Sequence, residues 1–506
     1  MFEPLKSSPR LGRSAQQLSV RFGATLLPMV AALALAGLGG CMTVGPDYAR
    51  PALDVPNTIT VAPPASASAA VSSAPFDLLV WWKSFQDPAL DALMNEATAN
   101  SQDLVLAAAR VAEARANESI TNSNRYPTVD AALGASRSRA SENTNLLPPG
   151  VGTNSKDFRL AFTAAYEIDF WGKFARADEA ARARLLSQQA NQGVVLTSLY
   201  ATLAQNYFAL RSYDAQVALA DNALKTRQDN LRLQQKRFSA GSIGTLELHQ
   251  AEAEAEAAEV SKAQGQQQVA NTESAIALLA GRSPALVATP AIARGAAIEA
   301  LYANLTTPTN LPADLLNRRP DIIAAEQALV AANADIGQAR AQYFPSVRLT
   351  GSGGYESNRL SELINPASVL WNLGAGLTQP IFRAGAIGAL VAGAEARKTQ
   401  AQAQYVQSVQ SAFRDVHDAL TGLAINDRIY GASNRRAVAL KDTLRLATLR
   451  YNNGYSSYLE VLTAQRDLLA VQSQVIDVQR AHLASAVGLY RAVGGGWDKA
   501  ASVAAK

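Results

Sequence analysis

The side chain with the most distinctive chemistry in this 506-residue sequence is Cys41, its only cysteine. A lone cysteine is usually a small buried apolar residue, and without a second one no intrachain disulfide can form. Here, however, Cys41 follows a segment with four basic residues, an apolar run from Ala24 to Leu38, and then Gly39 and Gly40. This order is typical of a secretion signal, in which small residues precede the cleavage site.

The four residues from Leu38 to Cys41 resemble a bacterial lipobox. The resemblance implies that residues 1–40 are a lipoprotein signal peptide and that Cys41 carries a covalent lipid, with diacylglycerol on the thiol and an N-acyl chain. Removing residues 1–40 takes away four basic residues and one acidic residue, so the formal net charge of +4 falls nearly to zero. A nearly neutral chain predicts no nucleic-acid partner.

No other group of residues predicts reaction chemistry. His249, His417 and His482 are isolated in the sequence, and we expect each on a helix surface. No His, Cys and carboxylate cluster has metal-ligand spacing, no glycine-rich phosphate loop occurs, and no nucleophile and base can be paired from spacing. The sequence therefore predicts no metal, no cofactor other than the lipid, and no enzyme activity.

Long helices must position whatever function remains. Helical pattern begins near Asp87-Pro88 and continues to about Asn124. From Lys173 to about Ser239 there is no proline, and apolar residues recur every seven positions, which is typical of a coiled-coil seam: Leu196, Leu203, Leu210, Val217, Leu224 and Leu231. At about 1.5 Å per residue, such a helix would extend on the order of 100 Å.

The sequence also indicates an internal tandem duplication. The seam recurs 213 positions later, as do Arg237-Phe238, Gly241 and Leu246-Glu247, which reappear as Arg450-Tyr451, Gly454 and Leu459-Glu460. Ala-rich helices can resemble one another by chance, but one constant offset over this span favours duplication. Glycine at both expected turns supports the same conclusion.

Each copy contains two segments with period-two alternation, which predicts four strands per chain. In residues 158–170 aromatic and aliphatic side chains occupy one face and polar side chains the other; residues 346–355 and 369–377 alternate similarly. No apolar stretch after Cys41 reaches the roughly 20 residues of a spanning helix, so we expect any membrane crossing to be made by strands. Four strands cannot close a sheet in a bilayer, so we also expect oligomerisation.

Five motifs together resemble the outer membrane factor family, in the lipoprotein branch that serves resistance-nodulation-division pumps. They are Gly45-Pro46-Asp47-Tyr48, Trp81-Trp82-x-x-Phe85-x-Asp87-Pro88, Leu315 to Ile322 (LLNRRPDI), Gln379-Pro380-Ile381-Phe382, and Gly494-Gly495-Gly496-Trp497. The resemblance implies a mainly α fold whose coiled-coil helices form a periplasmic α-barrel, and a homotrimer with a twelve-stranded outer-membrane β-barrel. It also implies a periplasmic adaptor, an inner-membrane pump and outer-membrane lipid as partners.

The expected organisation follows from the repeats. It comprises the signal peptide (1–40), the lipid anchor and extended tether (41–80), a first repeat (81–281) with a strand pair at about 127–170, a linker (282–318), a second repeat (319–496) with a strand pair at about 345–382, and a tail (497–506). The function implied by the resemblance is passive conduction of substrates from pump and adaptor to the outside. Alternatives are a periplasmic adaptor lipoprotein, which would lack two strand pairs and the full duplication, or the outer duct of a protein secretion system.

The resemblance also implies the site residues. A periplasmic aperture would be formed by Leu459, Glu460 and Thr463, where many relatives carry a second acid at the position of Thr463. Glu460 could equally be a solvated helix residue paired with Arg466, and Leu459 could be seam packing. The turns at Arg237–Gly241 and Arg450–Gly454 would contact the adaptor, although both arginines could instead stabilise helix C-termini.

Overall fold

A computed structural model describes residues 43–56, 58–60, 78–143, 152–305, 310–312 and 317–498, and Cys41 lies outside them. The described chain divides into two compact units. The strand unit comprises the described residues up to Pro46 with Asn122–Ala177 and Asp335–Val391, and the helical unit comprises the remainder. Within the described residues, the structure contains no helix that is both long and apolar enough to cross a membrane.

The long helices and the two strand pairs follow one another in the predicted order. After strand β1 (Thr58–Thr60) and a 3-10 helix (Leu78–Phe85) come α1 (Pro88–Asn100), α2 (Gln102–Ser123), β2 (Thr128–Arg139), β3 (Asn154–Ile168), α3 (Lys173–Ser239) and α4 (Thr245–Leu279). Two short helices, α5 (Pro284–Ala288) and α6 (Ile298–Asn304), and strand β4 (Asn310–Pro312) lead into the second set. That set is α7 (Pro320–Ala341), β5 (Ser346–Ser357), β6 (Val369–Thr378), α8 (Ala386–Asn452) and α9 (Tyr458–Ala492).

The two sets of elements confirm the duplication residue by residue. Helices α3 and α8 each contain 67 residues, and α4 and α9 each contain 35. Every boundary of these helices recurs at the predicted offset of 213 positions. The earlier elements α2 and β2 recur as α7 and β5 at an offset of 218, because the second copy is five residues shorter between the start of its first strand and the start of its first long helix.

The strand unit contains one antiparallel four-stranded sheet in the order β2-β3-β5-β6. The predicted alternation is confirmed, because one face carries apolar side chains across all four strands. Its exposed members include Val129, Leu133, Phe162, Leu349, Val369, Trp371, Leu373 and Leu377. The opposite face carries charged pairs such as Arg159 and Glu356, whose Nε and Oε2 atoms are 3.7 Å apart.

The core of the helical unit forms where the first helices meet the long ones. Trp81 stacks on Tyr490 with ring centroids 4.9 Å apart, and Phe85 lies 4.8 Å from Phe208. Leu203 and Leu210 of the predicted seam are fully buried here. The tryptophans and Phe85 therefore anchor the start of the first helix in this core.

The carboxylate of Asp87 organises this core. It caps α1 by accepting a hydrogen bond from the Ala89 amide at 2.9 Å. It also accepts from the Tyr207 hydroxyl at 2.6 Å and from the Ala296 amide at 3.0 Å. One buried side chain thus joins α1, α3 and the segment between the repeats.

The first helix of the sequence analysis is in fact two helices. Helix α1 ends at Asn100, Ser101 takes an extended conformation with φ −60° and ψ 124°, and α2 begins at Gln102. Gly281 packs directly against the Asn100 carbonyl, where a β-carbon would overlap that oxygen. The break therefore coincides with a close approach of the α4 terminus, a tertiary contact that has no local sequence signal.

Candidate functional site

The predicted turns of the two helix hairpins occur where expected. Gly241 and Gly454 adopt φ values of 70° and 77°, which favour glycine. The Ser242 amide donates to the Arg237 carbonyl at 2.8 Å, and the Tyr455 amide donates to the Arg450 carbonyl at 2.9 Å. These bonds end α3 and α8 in the same way. Both glycines face open space, since a β-carbon would meet no atom within 4 Å.

The side chain of Arg237 connects the two hairpins. Its Nη1 donates to the Tyr451 hydroxyl at 2.9 Å, and its guanidinium lies 5.3 Å from the centroid of that ring. The Gln234 amide nitrogen lies 3.2 Å from the same hydroxyl, and Gln234 is buried. Arg237 is thus directed at Tyr451 rather than at the carbonyls of its own helix.

A second connection between the hairpins is ionic and largely buried. Arg227 of α3 contacts Glu254 of α4 with its Nη2 3.2 Å from Oε2, and both side chains are less than a tenth exposed. Arg466 of α9 donates to Glu254 Oε1 through its Nε at 2.8 Å. This hydrogen bond to Glu254 raises the pKa of Arg466. Glu254 therefore holds two arginines from two different helices.

The expected pairing of Glu460 with Arg466 is wrong. Arg466 is taken by Glu254, and the charged atom nearest Glu460 is Arg450 Nε at 3.8 Å. Six residues along a helix correspond to about 600°, so the two side chains leave α9 on different faces. Both members of the Arg450 and Glu460 pair are more than half exposed, and such a pair is worth under about 1 kcal/mol.

The three predicted aperture residues share one exposed face at the start of α9. Leu459 is 53 % exposed, so it is not part of the packed seam; Val461 and Leu462 are buried instead. Glu460 and Thr463 are exposed, and the Thr463 hydroxyl donates to the Leu459 carbonyl at 2.9 Å. Asp467 lies one turn further on the same face and lines the same groove. The face therefore carries two carboxylates, those of Glu460 and Asp467.

Sequence reasoning did not single out Tyr451, Gln234, Glu254 or Asp467. A usable signal was present, because the offset of 213 relates Glu254 to Asp467 and Phe238 to Tyr451. Glu254 is buried and bonded to two arginines, whereas Asp467 is exposed. Positions where the two copies differ in chemistry or environment therefore mark this site.

The expectation that His482 lies on a helix surface is also wrong. Its side chain is 7 % exposed, and its ring meets the Tyr302 ring edge-on at a centroid distance of 5.0 Å. Burial lowers its pKa from the ordinary 6.5, although Asp427 acts in the opposite direction. His249 and His417 are exposed, as expected. Among the described residues, no group of three or more His, Cys and acidic side chains could hold a metal ion.

The residues that follow Cys41 are held in the strand unit. The Val44 amide donates to the Trp171 carbonyl at 3.0 Å, and Gly45, with φ 113°, packs directly on the backbone of Gly337. A side chain at either glycine would overlap the facing backbone. Val44 and Gly45 are thus fixed to the strand unit by close backbone contacts.

Comparisons with known proteins agree with this architecture. The profile of the Outer membrane efflux protein family matches residues 93–282 and 311–495. The cation efflux system protein CusC of Escherichia coli O6:H1 is 34 % identical over 475 residues, covering 94 % of this chain and 99 % of CusC. The toluene efflux pump outer membrane protein TtgI of Pseudomonas putida is 33 % identical over 472 residues, covering 93 % of this chain and 98 % of TtgI.

Solved structures share the fold. The crystal structure of the CmeC outer membrane channel of Campylobacter jejuni matches with a TM-score of 0.83, covering 90 % of this chain and 96 % of CmeC at 24 % identity. The predicted fold class and outer-membrane location are confirmed by these relatives. This chain belongs to the outer membrane efflux protein family and is an outer-membrane efflux channel.

Proposed function

We propose that three copies of this chain form the passive exit duct of a tripartite efflux system, with the face of Leu459, Glu460, Thr463 and Asp467 as its periplasmic aperture. The observation that carries the proposal is this exposed, carboxylate-bearing face, which stands beside a turn and two inter-hairpin connections. Three copies would turn each position into a ring of three. A ring of carboxylates at a narrow entrance favours cations.

The sheet supports a trimer. Its outer strands β2 and β6 each have one edge that no strand among the described residues covers. Within a bilayer an unpaired backbone group costs several kcal/mol, so these edges must pair with other copies. Three sheets of four strands give a closed ring of twelve, which is wide enough to leave a lumen.

The turns supply the surface for the periplasmic adaptor. Arg237, Gly241, Arg450 and Gly454 lie at the ends of the two hairpins, and the space around both glycines is open. An adaptor loop could therefore approach the backbone closely at both turns. The adaptor would connect the duct to an inner-membrane resistance-nodulation-division pump, which would supply the energy. We propose no enzymatic turnover for this chain itself.

We also propose that Cys41 carries the diacylglycerol and N-acyl lipid that anchors the chain in the outer membrane. Two observations support this proposal: the lipobox-like sequence that ends at Cys41, and the close packing of Gly45 on Gly337 shortly after it. Intact mass of the purified protein tests it directly. Cys41→Ser should remove the added lipid mass, and an unchanged mass in that variant would contradict the assignment.

A periplasmic adaptor would lack two strand pairs and the full duplication. This chain contains the two strand pairs and the duplicated helices. A secretion duct for proteins predicts a wider resting aperture. Relatives named for cation and for toluene efflux share this fold, so the aperture residues rather than the fold must distinguish small cargo classes.

Planar-bilayer conductance of the purified lipidated protein tests the proposal, with oligomeric mass measured in the same detergent. We expect a trimeric mass and a small, cation-selective conductance. Glu460→Gln should reduce the selectivity, whereas Glu252→Gln, an exposed acid of α4 away from this face, should leave it unchanged. A monomeric mass, or equal selectivity in both variants, would contradict the proposal.

A further inference from the structure

We propose that the loop after β6, residues 379–385, locks neighbouring copies together by seating Phe382 and Arg383 on Tyr126 and Pro127 of the partner subunit. The inference rests on the trimer proposed above and assigns a specific interlock to it. It predicts which strands of two copies meet, in which register, and which loop secures the joint.

The first step is the internal symmetry of the strand pairs. In the first copy Thr128 of β2 faces Ala165 of β3, and in the second Ser346 of β5 faces Thr378 of β6. These pairs are related by the offsets of the flanking helices, 218 for the first strand and 213 for the second. The two strand pairs therefore have the same register, and the sheet consists of two copies of one strand pair.

The second step is the contact between the first strand pair (β2 and β3) and the second strand pair (β5 and β6) inside one chain. Strand β3 of the first strand pair is hydrogen-bonded to β5 of the second strand pair, with Ala165 opposite Thr350. Just beyond β3, Trp171 stacks on Phe344 with ring centroids 4.6 Å apart and planes at 24°. The Trp171 indole also donates to the Pro345 carbonyl at 2.8 Å. The loop after the first strand pair thus contacts the helix-to-strand junction that precedes the second strand pair.

The same symmetry places an equivalent joint between copies. Strand β6 is the counterpart of β3, and β2 is the counterpart of β5, so β6 of one copy should meet β2 of the next. Pro345 corresponds to Pro127, and Gly172, which follows Trp171 with φ 74°, corresponds to Gly385 with φ 82°. The loop before Gly385 should therefore contact the junction at Tyr126 and Pro127 of the partner subunit.

The side chains in this loop fit that role. The position of Trp171 corresponds to Ala384, which has neither ring nor donor, yet Phe382 and Arg383 stand immediately before it. Ile381 is 89 % and Phe382 86 % exposed in the single chain, and Tyr126 is 65 % exposed. Phe382 can supply the ring that stacks, and Arg383 can donate to the Pro127 carbonyl or pack on Tyr126.

A second copy fits these residues better than lipid does. They continue directly from the open edge of β6, and Tyr126 leads directly into the open edge of β2. The internal joint also fixes the register between copies. Combining its register with the two offsets puts Thr378 opposite Ala132 and Leu377 opposite Leu133 of the partner subunit. Leu133 and Leu377 both lie on the apolar face of the sheet.

Disulfide cross-linking in membranes tests the interlock, because Cys41 is the only native cysteine. One variant carries Phe382→Cys with Tyr126→Cys, and a second carries Leu377→Cys with Leu133→Cys. The register control carries Leu377→Cys with Ala135→Cys. Ala135 lies on the same strand face two residues away, where diagonal neighbours are about 7–8 Å apart and cross-link poorly. Copper–phenanthroline is the oxidant, and native mass is measured in parallel.

We expect covalent dimers and trimers from the first two variants and at least tenfold less from the register control and the protein without added cysteines. A trimeric native mass with a ladder from Leu377 and Leu133 but none from Phe382 and Tyr126 would overturn the interlock and place the loop in lipid. A trimer in which only the register control cross-links would overturn the register. A monomeric native mass would instead refute the trimer.

Discussion

Replacing Glu254 by glutamine removes the charge that holds Arg227 and Arg466 while keeping the shape of the side chain. Arg227 is 9 % exposed, so it would retain a buried positive charge without a counterion. Removing one partner of a buried pair typically costs about 3–5 kcal/mol, and the hydrogen bonds that glutamine keeps reduce this to about 2–3 kcal/mol. Arg466 is 59 % exposed and contributes under about 1 kcal/mol.

Native-state hydrogen exchange is the appropriate measurement, because it reports local opening along the hairpin. A loss of about 3 kcal/mol corresponds to roughly 100-fold faster exchange of amides that open locally. We expect this acceleration near Arg227 and Glu254 and little change in the core around Trp81. Bilayer conductance of the same variant should rise if the connection between the hairpins restrains the aperture.

The duplication supplies a matched control. Asp467 occupies the position equivalent to Glu254 but is exposed, so Asp467→Asn removes the same charge without leaving a buried arginine. Its exchange rates should stay within about threefold of the parent. Equal rates for both variants and the parent would refute the reasoning, because the buried Arg227 would then lose the carboxylate that pairs with it at no cost.

Three further changes test other parts of the structure by thermal unfolding of the helical signal. Gly295→Ala should destabilise the protein by roughly 2–4 kcal/mol, because the new methyl group would overlap the Asp87 carboxylate, whereas Gly393→Ala in an open position should not. Tyr451→Phe should cost about 1–2 kcal/mol, since Gln234 is buried and loses a partner. Burial lowers the pKa of His482 below 6.5, so its contribution to the free energy of unfolding is complete above pH 6.5 and declines as the pH falls further. His482→Gln should therefore flatten the plot of stability against pH below 6.5. An unaltered plot would contradict this prediction.

Helices and strands could be predicted from this sequence because their signals are local and repeated. The seam from Lys173 to Ser239, the strand alternation at 158–170 and the glycines at the turns each reflect backbone geometry over a few residues, and the offset of 213 confirmed each signal with its copy. Ser101 shows the limit. Its extended conformation coincides with the close approach of Gly281 to Asn100, and Gly281 is 180 positions away from Ser101 in the chain.

The site was predicted less completely than the fold, for a related reason. Glu460, Thr463 and Leu459 could be placed on one exposed face because they lie on one helix. The partners of Arg466 and Arg237 lie on other helices, so helix periodicity excludes a pair such as Glu460 and Arg466 but does not identify the true partner. His482 is a similar case, because burial in an alanine-rich helix depends on which neighbouring helix covers it.

The comparison of Glu254 with Asp467 indicates how a duplicated hairpin acquired two roles. In one copy the acid faces inward and binds arginines from both α3 and α9, so it holds the hairpins together. In the other copy the equivalent acid faces outward beside Glu460 and Thr463, where this second carboxylate extends the proposed aperture by one turn. A buried carboxylate needs its arginines, whereas an exposed carboxylate is stabilised by water. The two copies therefore differ in the environment of this acid, and substituting Asp467 should change ion selectivity whereas substituting Glu254 should change stability.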